Sequence, residues 1–221
     1  LEKFDEAAKT MDGIKDKDMQ GTFDLEYPAF KDNRSAYAKW YVEHNLKIAK
    51  CWICWGKFDD ASFYVQKRAS PMMKYLSPRG ATPKSDSATK DGFKCARELK
   101  KMYLFNVASI CDFQCDFATA SKRYYELFQI LASDIDGKPE ECRSCLQSAV
   151  KCAILTNPSK ASYSRTIAAL CKDKRVKSSP HFVMLEKIHH GRLLSRDEVE
   201  IFEKTLANHQ KMTGMDGLTS V

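Results

Sequence analysis

The sequence predicts an all-α protein made of stacked helical hairpins, and three observations lead there. Apolar residues recur every three or four positions over long stretches, no stretch alternates as a half-buried strand would, and one short motif repeats along the chain. The motif Phe58-Asp59-Asp60-Ala61-Ser62 lies over Phe117-Ala118-Thr119-Ala120-Ser121 at an offset of 59 residues, and Phe4-Asp5-Glu6-Ala7 begins a further copy 54 residues before Phe58. Both intervals exceed the roughly 34 residues of a tetratricopeptide unit, and the 59-residue one contains a long insertion. The expected arrangement is a TPR-like or HEAT-like α-solenoid, in which the small Ala of each motif lets one helix approach its partner closely.

The elements follow in order. Tyr37 to Trp55 carries Tyr41, Val42, Ile48, Ala49, Trp52 and Ile53 on one helical face, and Gly56 ends it. Phe58 to Ser70 is expected as its hairpin partner, stopped by Pro71, because a residue before proline is pushed out of the helical region. Residues 77–92 hold two Pro, two Gly and no large apolar side chain, which predicts an exposed flexible loop. Phe93 to Phe113 and Phe117 to Leu131 then repeat the hairpin. Beyond Asp136-Gly137-Lys138-Pro139 the elements shorten to Glu140–Ala153, Ser159–Cys171, Ser178–His190 and Ser195–Gln210, the last opened by the capping box Ser195-Arg196-Asp197-Glu198. The expected organisation is helical-repeat hairpins over residues 1–155 and shorter helices over 156–221.

Composition narrows the class. The 221 residues are 43% hydrophobic and 29% charged, which suits a folded chain and excludes a mostly disordered or collagen-like one. No run approaches the roughly 18 apolar residues of a membrane span, so no membrane partner is expected. The first residues lack an initiator Met and any signal-like pattern, and Leu218-Thr219-Ser220-Val221 opens a new apolar segment, so a fragment of a longer protein is expected. Nine cysteines among helical patterns read as reduced structural thiols in the cytoplasm or nucleus.

Sites of chemistry are sparse. Cys51-Trp52-Ile53-Cys54 and Cys142-Arg143-Ser144-Cys145 have C-x-x-C spacing, but 87 residues separate them and neither has the Gly or Pro of a zinc knuckle. Cys111 and Cys115 straddle a helix end with no His close in sequence to activate a thiolate. His44, His181, His189, His190 and His209 form no metal-binding pattern, and His189-His190 suit a helix C-terminus. No phosphate loop, nucleophile elbow or paired carboxylates occur, so no catalytic residue, metal or cofactor is expected. The net charge of +7 suggests an acidic partner. Two basic stretches stand out as candidate protein-binding residues: Arg79, Lys84, Lys90, Lys94, Arg97, Lys100 and Lys101, and then Lys172, Lys174, Arg175 and Lys177. Nucleic acid is the lesser expectation, because the nearby aromatics read as core.

The last third carries a resemblance. Ser164-Arg165-Thr166-Ile167-Ala168-Ala169-Leu170-Cys171-Lys172-Asp173-Lys174-Arg175, then Leu185-Glu186-Lys187-Ile188 and Ile201 to Lys211, resembles in order and spacing the stretch before the winged-helix domain in the subunit-four family of the COP-nine signalosome, a PCI-domain family. Phe58 to Ser70, Tyr103 to Phe128 and Cys142 to Leu155 are similar to that family's helical repeats. His209-Gln210-Lys211 with Asp216-Gly217 favours this branch over the paralogue in the proteasome lid. The resemblance implies a non-catalytic scaffold within the complex that removes the ubiquitin-like modifier from cullins (deneddylation), with the metalloprotease site on a different subunit. It implies other signalosome subunits and the cullin–RING ligase complex as partners. The insertion at 77–92 departs from the family, and the winged-helix half is not in this sequence. A proteasome-lid scaffold and a free-standing repeat adaptor or nucleic-acid binder are the alternatives.

Overall fold

The computed structural model describes residues 34–76, 87–134, 138–157 and 163–211, with side chains from Ser35 in the first stretch, from Lys94 in the second and from Arg165 in the last. The elements are α1 (Arg34–Trp55), α2 (Phe58–Phe63), a π-helical turn (Tyr64–Ala69), α3 (Ser70–Met73), α4 (Ser87–Phe113), α5 (Phe117–Ala132), α6 (Pro139–Leu155), α7 (Tyr163–Lys172), a 3-10 turn (Lys174–Ser178), α8 (Phe182–His189), α9 (Arg196–Glu203) and a second 3-10 turn (Asn208–Gln210). Among the described residues there is no strand, so the all-α class holds. They divide into two compact units, one up to Val107 and one from Ala108, with the boundary inside α4.

In the first unit, α1 packs along α2, the π-helical turn and α3 as a hairpin. Ala38, Val42, Leu46 and Ala49 of α1 are sealed from solvent, as are Ala61, Val65 and Ala69 opposite. The near-helical spacing of those positions is the periodicity visible in the sequence. From α4, the buried Asn106 donates through Nδ2 to the Leu46 carbonyl at 2.9 Å, a hydrogen bond across 60 residues of sequence.

In the second unit, α5 and α6 make the closest pairing. Ala149 and Val150 are fully buried, and Ser121 Oγ donates to the Ala149 carbonyl at 2.8 Å, so α5 and α6 come close there with that hydroxyl satisfied. α8 packs on α6 and α7. Its Met184 joins Phe202 and Leu206 in an apolar cluster flanked by Ile154, Leu155, Ile188, Leu194 and Val199. Burying a side chain such as Phe202 contributes about 2–3 kcal/mol.

Helix ends follow local chemistry. Ser195 and Glu198 form the expected capping box, with the Ser195 N–H on Glu198 Oε2 at 2.9 Å and the Glu198 N–H on Ser195 Oγ at 3.3 Å. Pro139 opens α6, where its missing N–H costs nothing. α8 closes through Gly191, with φ +64°, as the Gly191 N–H reaches the Ile188 carbonyl and the Arg192 N–H reaches that of Lys187. His189 and His190 sit exposed at that end, as expected.

Four expectations need correction. Pro71 does not stop the second helix. The preceding turn widens to π spacing, so the Ser70 N–H reaches back to the Val65 carbonyl and Pro71 enters the first turn of α3, where no N–H is required. The loop over 77–92 is shorter at its end, because α4 begins at Ser87; residues 77–86 lie outside the described residues. Of the expected helix Ser178–His190, Ser178 ends the preceding 3-10 turn and only Phe182–His189 is helical, as α8. Ser195–Gln210 breaks after Glu203, where the Thr205 hydroxyl and N–H both bond to the Phe202 carbonyl at 2.7 and 2.9 Å and draw the chain into a turn. The motif copy at Phe4 and the expected start at Ser159 lie outside the described residues.

Candidate functional site

The thiols are free, but they are not uniformly core. Cys145 and Cys152 are buried, Cys54 is exposed, and the other six are half-buried. Each C-x-x-C lies within a helix, Cys51 and Cys54 on α1 and Cys142 and Cys145 on α6. Burial pushes the Cys145 thiol up to about 11, with Cys142 and Glu141 adding to the shift, and raises Cys152 further still. Burial and then Asp112 raise Cys115, while burial and then Asp116 raise Cys111. These are the reverse of the surroundings that make a nucleophilic thiolate. Among the described residues no three His, Cys, Asp or Glu side chains are grouped to hold a metal, and no helix is long and apolar enough to cross a membrane.

The sequence-predicted basic residues separate by environment. Arg79 and Lys84 lie outside the described residues; Lys90 is on α4, with its side chain outside them. Lys94 and Lys100 are exposed on α4, Arg97 is half-buried, and Lys101 folds back to place Nζ 2.6 Å from Glu98 Oε1.

In the second unit Lys172, Lys174 and Lys177 are exposed, and Arg175 is engaged from two sides. Its guanidinium forks onto Asp173, with Nη2 donating to Oδ2 at 2.6 Å and Nε to Oδ1 at 3.0 Å, and its Cζ stands 4.5 Å from the Phe128 ring centroid. Asp173 also accepts from the Arg175 N–H at 3.0 Å and from the Tyr125 hydroxyl at 3.0 Å. The Arg175 bonds, with the Tyr125 hydroxyl assisting, hold the Asp173 carboxyl down at about 2. Val176 is fully buried beneath the turn. The clamp therefore fixes a short 3-10 turn on α5 and leaves three lysines around it facing solvent. Tyr125 and Phe128 are the partners that sequence reasoning missed, since only their shared face of α5 at i, i+3 hinted at a common neighbour.

A second polar cluster gathers where α4 ends. The buried Asp112 accepts from Gln210 Nε2 at 2.8 Å, and Gln210 Oε1 accepts from the Ala207 N–H at 3.1 Å, so both ends of that amide are used. His209 stacks on Phe113 with ring centroids 3.9 Å apart and brings Nε2 to 3.4 Å from Asp112 Oδ1. Lys151 Nζ donates to the Thr205 carbonyl at 2.7 Å, which ties the same segment to α6. The arrangement fixes a backbone path and presents no reacting pair.

The described residues present no catalytic geometry, and comparison with known proteins decides kinship. No family model matches the chain. Single proteins do: the chain is 41% identical over 117 residues to COP9 signalosome complex subunit 4 of Neurospora crassa, a match covering 53% of this chain and 26% of that protein. The chain is related by sequence to COP9 signalosome subunit 4. The Emericella nidulans subunit 4 is 37% identical over 122 residues, covering 55% of this chain and 29% of the relative. The Caenorhabditis elegans subunit 4 is 30% identical over 185 residues, covering 83% and 39%. The chain thus spans well under half the length of the signalosome subunits it matches, and its resemblance to the subunit-four family is borne out across fungi and animals.

Proposed function

We propose that this chain is the helical-repeat part of a signalosome subunit, a non-catalytic scaffold that assembles with other signalosome subunits and supports deneddylation of cullin–RING ubiquitin ligases. In this reading residues 1–155 form the repeat arm and 156–221 lead towards a winged-helix domain. The arm helps hold the modified cullin–RING complex and passes its binding to the subunits that carry the chemistry. The protein works in both cytoplasm and nucleus. The observation that carries the reading is the similarity to subunit 4 in several organisms. The stacked hairpins support it, because packed helix pairs build broad protein-binding surfaces rather than closed pockets.

The experiment is to add the full protein, or the same protein with α5 overpacked at its buried face by Ala120→Leu, to a reconstituted signalosome lacking its subunit 4. The reading expects cleavage of the modifier from cullin to be restored by the parent and reduced with the variant. Failure of the folded parent both to enter the complex and to restore cleavage would refute it.

A further inference from the structure

The 3-10 turn Lys174–Ser178 is held unusually firmly for a surface turn. Val176 anchors it from below, Arg175 lies over Phe128, and Asp173 is bonded to Arg175 and to Tyr125 across 48 residues of sequence. The same contacts divide its charge. Asp173 and Arg175 neutralise each other, while Lys172, Lys174 and Lys177 form no ion pair among the described residues. Positions three apart eclipse in a 3-10 helix, so Lys174 and Lys177 share one edge. Three residues at a rise of about 2.0 Å put their backbones about 6 Å apart along that edge. Alternate residues of an extended strand, on one face, recur at about 6.6 Å.

We propose that this turn, with Lys172 beside it, docks an extended acidic protein segment whose carboxylates stand at alternate positions. A protein segment fits better than a nucleic acid. Single strands bind by stacking bases on free aromatic faces. Here Phe128 is buried under Arg175, and Tyr125 is half-buried with its hydroxyl on Asp173. Lysines without an aromatic platform offer point charges, which suit carboxylates on a matched spacing. Preorganisation by the clamp lowers the ordering cost of binding. The inference stands on the turn itself and does not depend on the signalosome reading.

The test uses the full chain and a fluorescein-labelled peptide of alternating Glu and Gly, followed by anisotropy at low and at physiological ionic strength. Binding is expected, weakening with salt. Lys174→Glu with Lys177→Glu lowers affinity about tenfold, as reversal of two surface charges should. Tyr125→Phe, which leaves every charge in place and loosens the turn, lowers it about two- to threefold. Lys94→Glu with Lys100→Glu, an equal charge change on α4, leaves it within about twofold, the spread expected of remote charge. Circular dichroism melts confirm that each variant is folded. Equal loss in both charge-reversal pairs, unchanged binding in the Lys174/Lys177 variant, or tighter binding of a single-stranded DNA of matched charge overturns the proposal.

Discussion

Gly56 and Cys115, 59 residues apart, close α1 and α4 with the same backbone turn. Gly56 has φ +82° and Cys115 φ +58°, and in each turn that residue's N–H bonds three residues back while the next N–H bonds five residues back. The equivalence has the offset of the Phe58/Phe117 motif, so the sequence repeat is also a repeat of helix ends. It breaks one rule, because a left-handed residue with a Cβ is strained by about 1–2 kcal/mol, and Cys115 bears that strain where Gly56 does not.

Cys115→Gly should therefore stabilise the chain by about 0.5–1 kcal/mol, after allowing for the greater freedom of glycine in the unfolded state. For a chain of this size that raises the melting temperature by about 1–3 °C. Gly56→Ala, which meets no atom within 4 Å and so acts only through backbone strain, should lower it by a similar amount. Thermal melts of the two variants check both signs.

The motif alanines predict a steric cost. Ala61 of α2 and Ala120 of α5 are each fully buried. Ala120→Leu should destabilise by about 1–3 kcal/mol or more, since extra methylenes have no void to enter. Chemical denaturation would show it; a change below about 0.5 kcal/mol would mean that the packing around Ala120 has room for a larger side chain.

Asp112 and Gln210 predict a local effect. Gln210→Ala removes a donor from a buried carboxylate and an acceptor from the Ala207 N–H, at a cost of about 1.5–3 kcal/mol. Hydrogen exchange should accelerate at Ala207 while amides in the middle of α5 stay protected. Uniform acceleration throughout the unit would show that the contact holds more than its own segment.

How much of this was legible depends on distance along the chain. The capping box at Ser195 and Glu198, the Gly56 and Gly191 stops and the paired motif are fixed by residues within a few positions of one another, and each formed as read. Pro71 obeyed a stronger local rule than the one applied to it, because a π turn just before it removed the conflict. Arg175 read as a free charge although its ion-pair partner Asp173 is two residues away, because Tyr125 and Phe128, which hold that pair on α5, lie nearly 50 residues earlier. Gln210 met Asp112 across 98 residues, and no periodicity encodes such a pairing. Cys54 lies on the exposed side of α1 although its spacing from Cys51 suggested a shared buried face.

The Asp173 clamp carries a pH dependence of known sign. Its carboxyl is held at about 2 in the folded protein against an ordinary 3.8, so its contribution is complete above about 4 and is lost as pH falls towards about 2. Asp173→Asn should melt lower than the parent at neutral pH, with the gap closing over that acidic window. Tyr125→Phe should move the titration upward by removing one hydrogen bond to the carboxylate. A gap that stays constant with pH would place the stabilisation elsewhere.

Kinship with a signalosome subunit is tested by recovering the full protein from extract of its own cells. The tagged protein is purified and the copurifying chains are identified by mass spectrometry. The other signalosome subunits are expected in stoichiometric amounts, with cullin–RING ligase components in lesser yield. Proteasome-lid subunits in their place, or the protein recovered alone from gentle lysis, would contradict it.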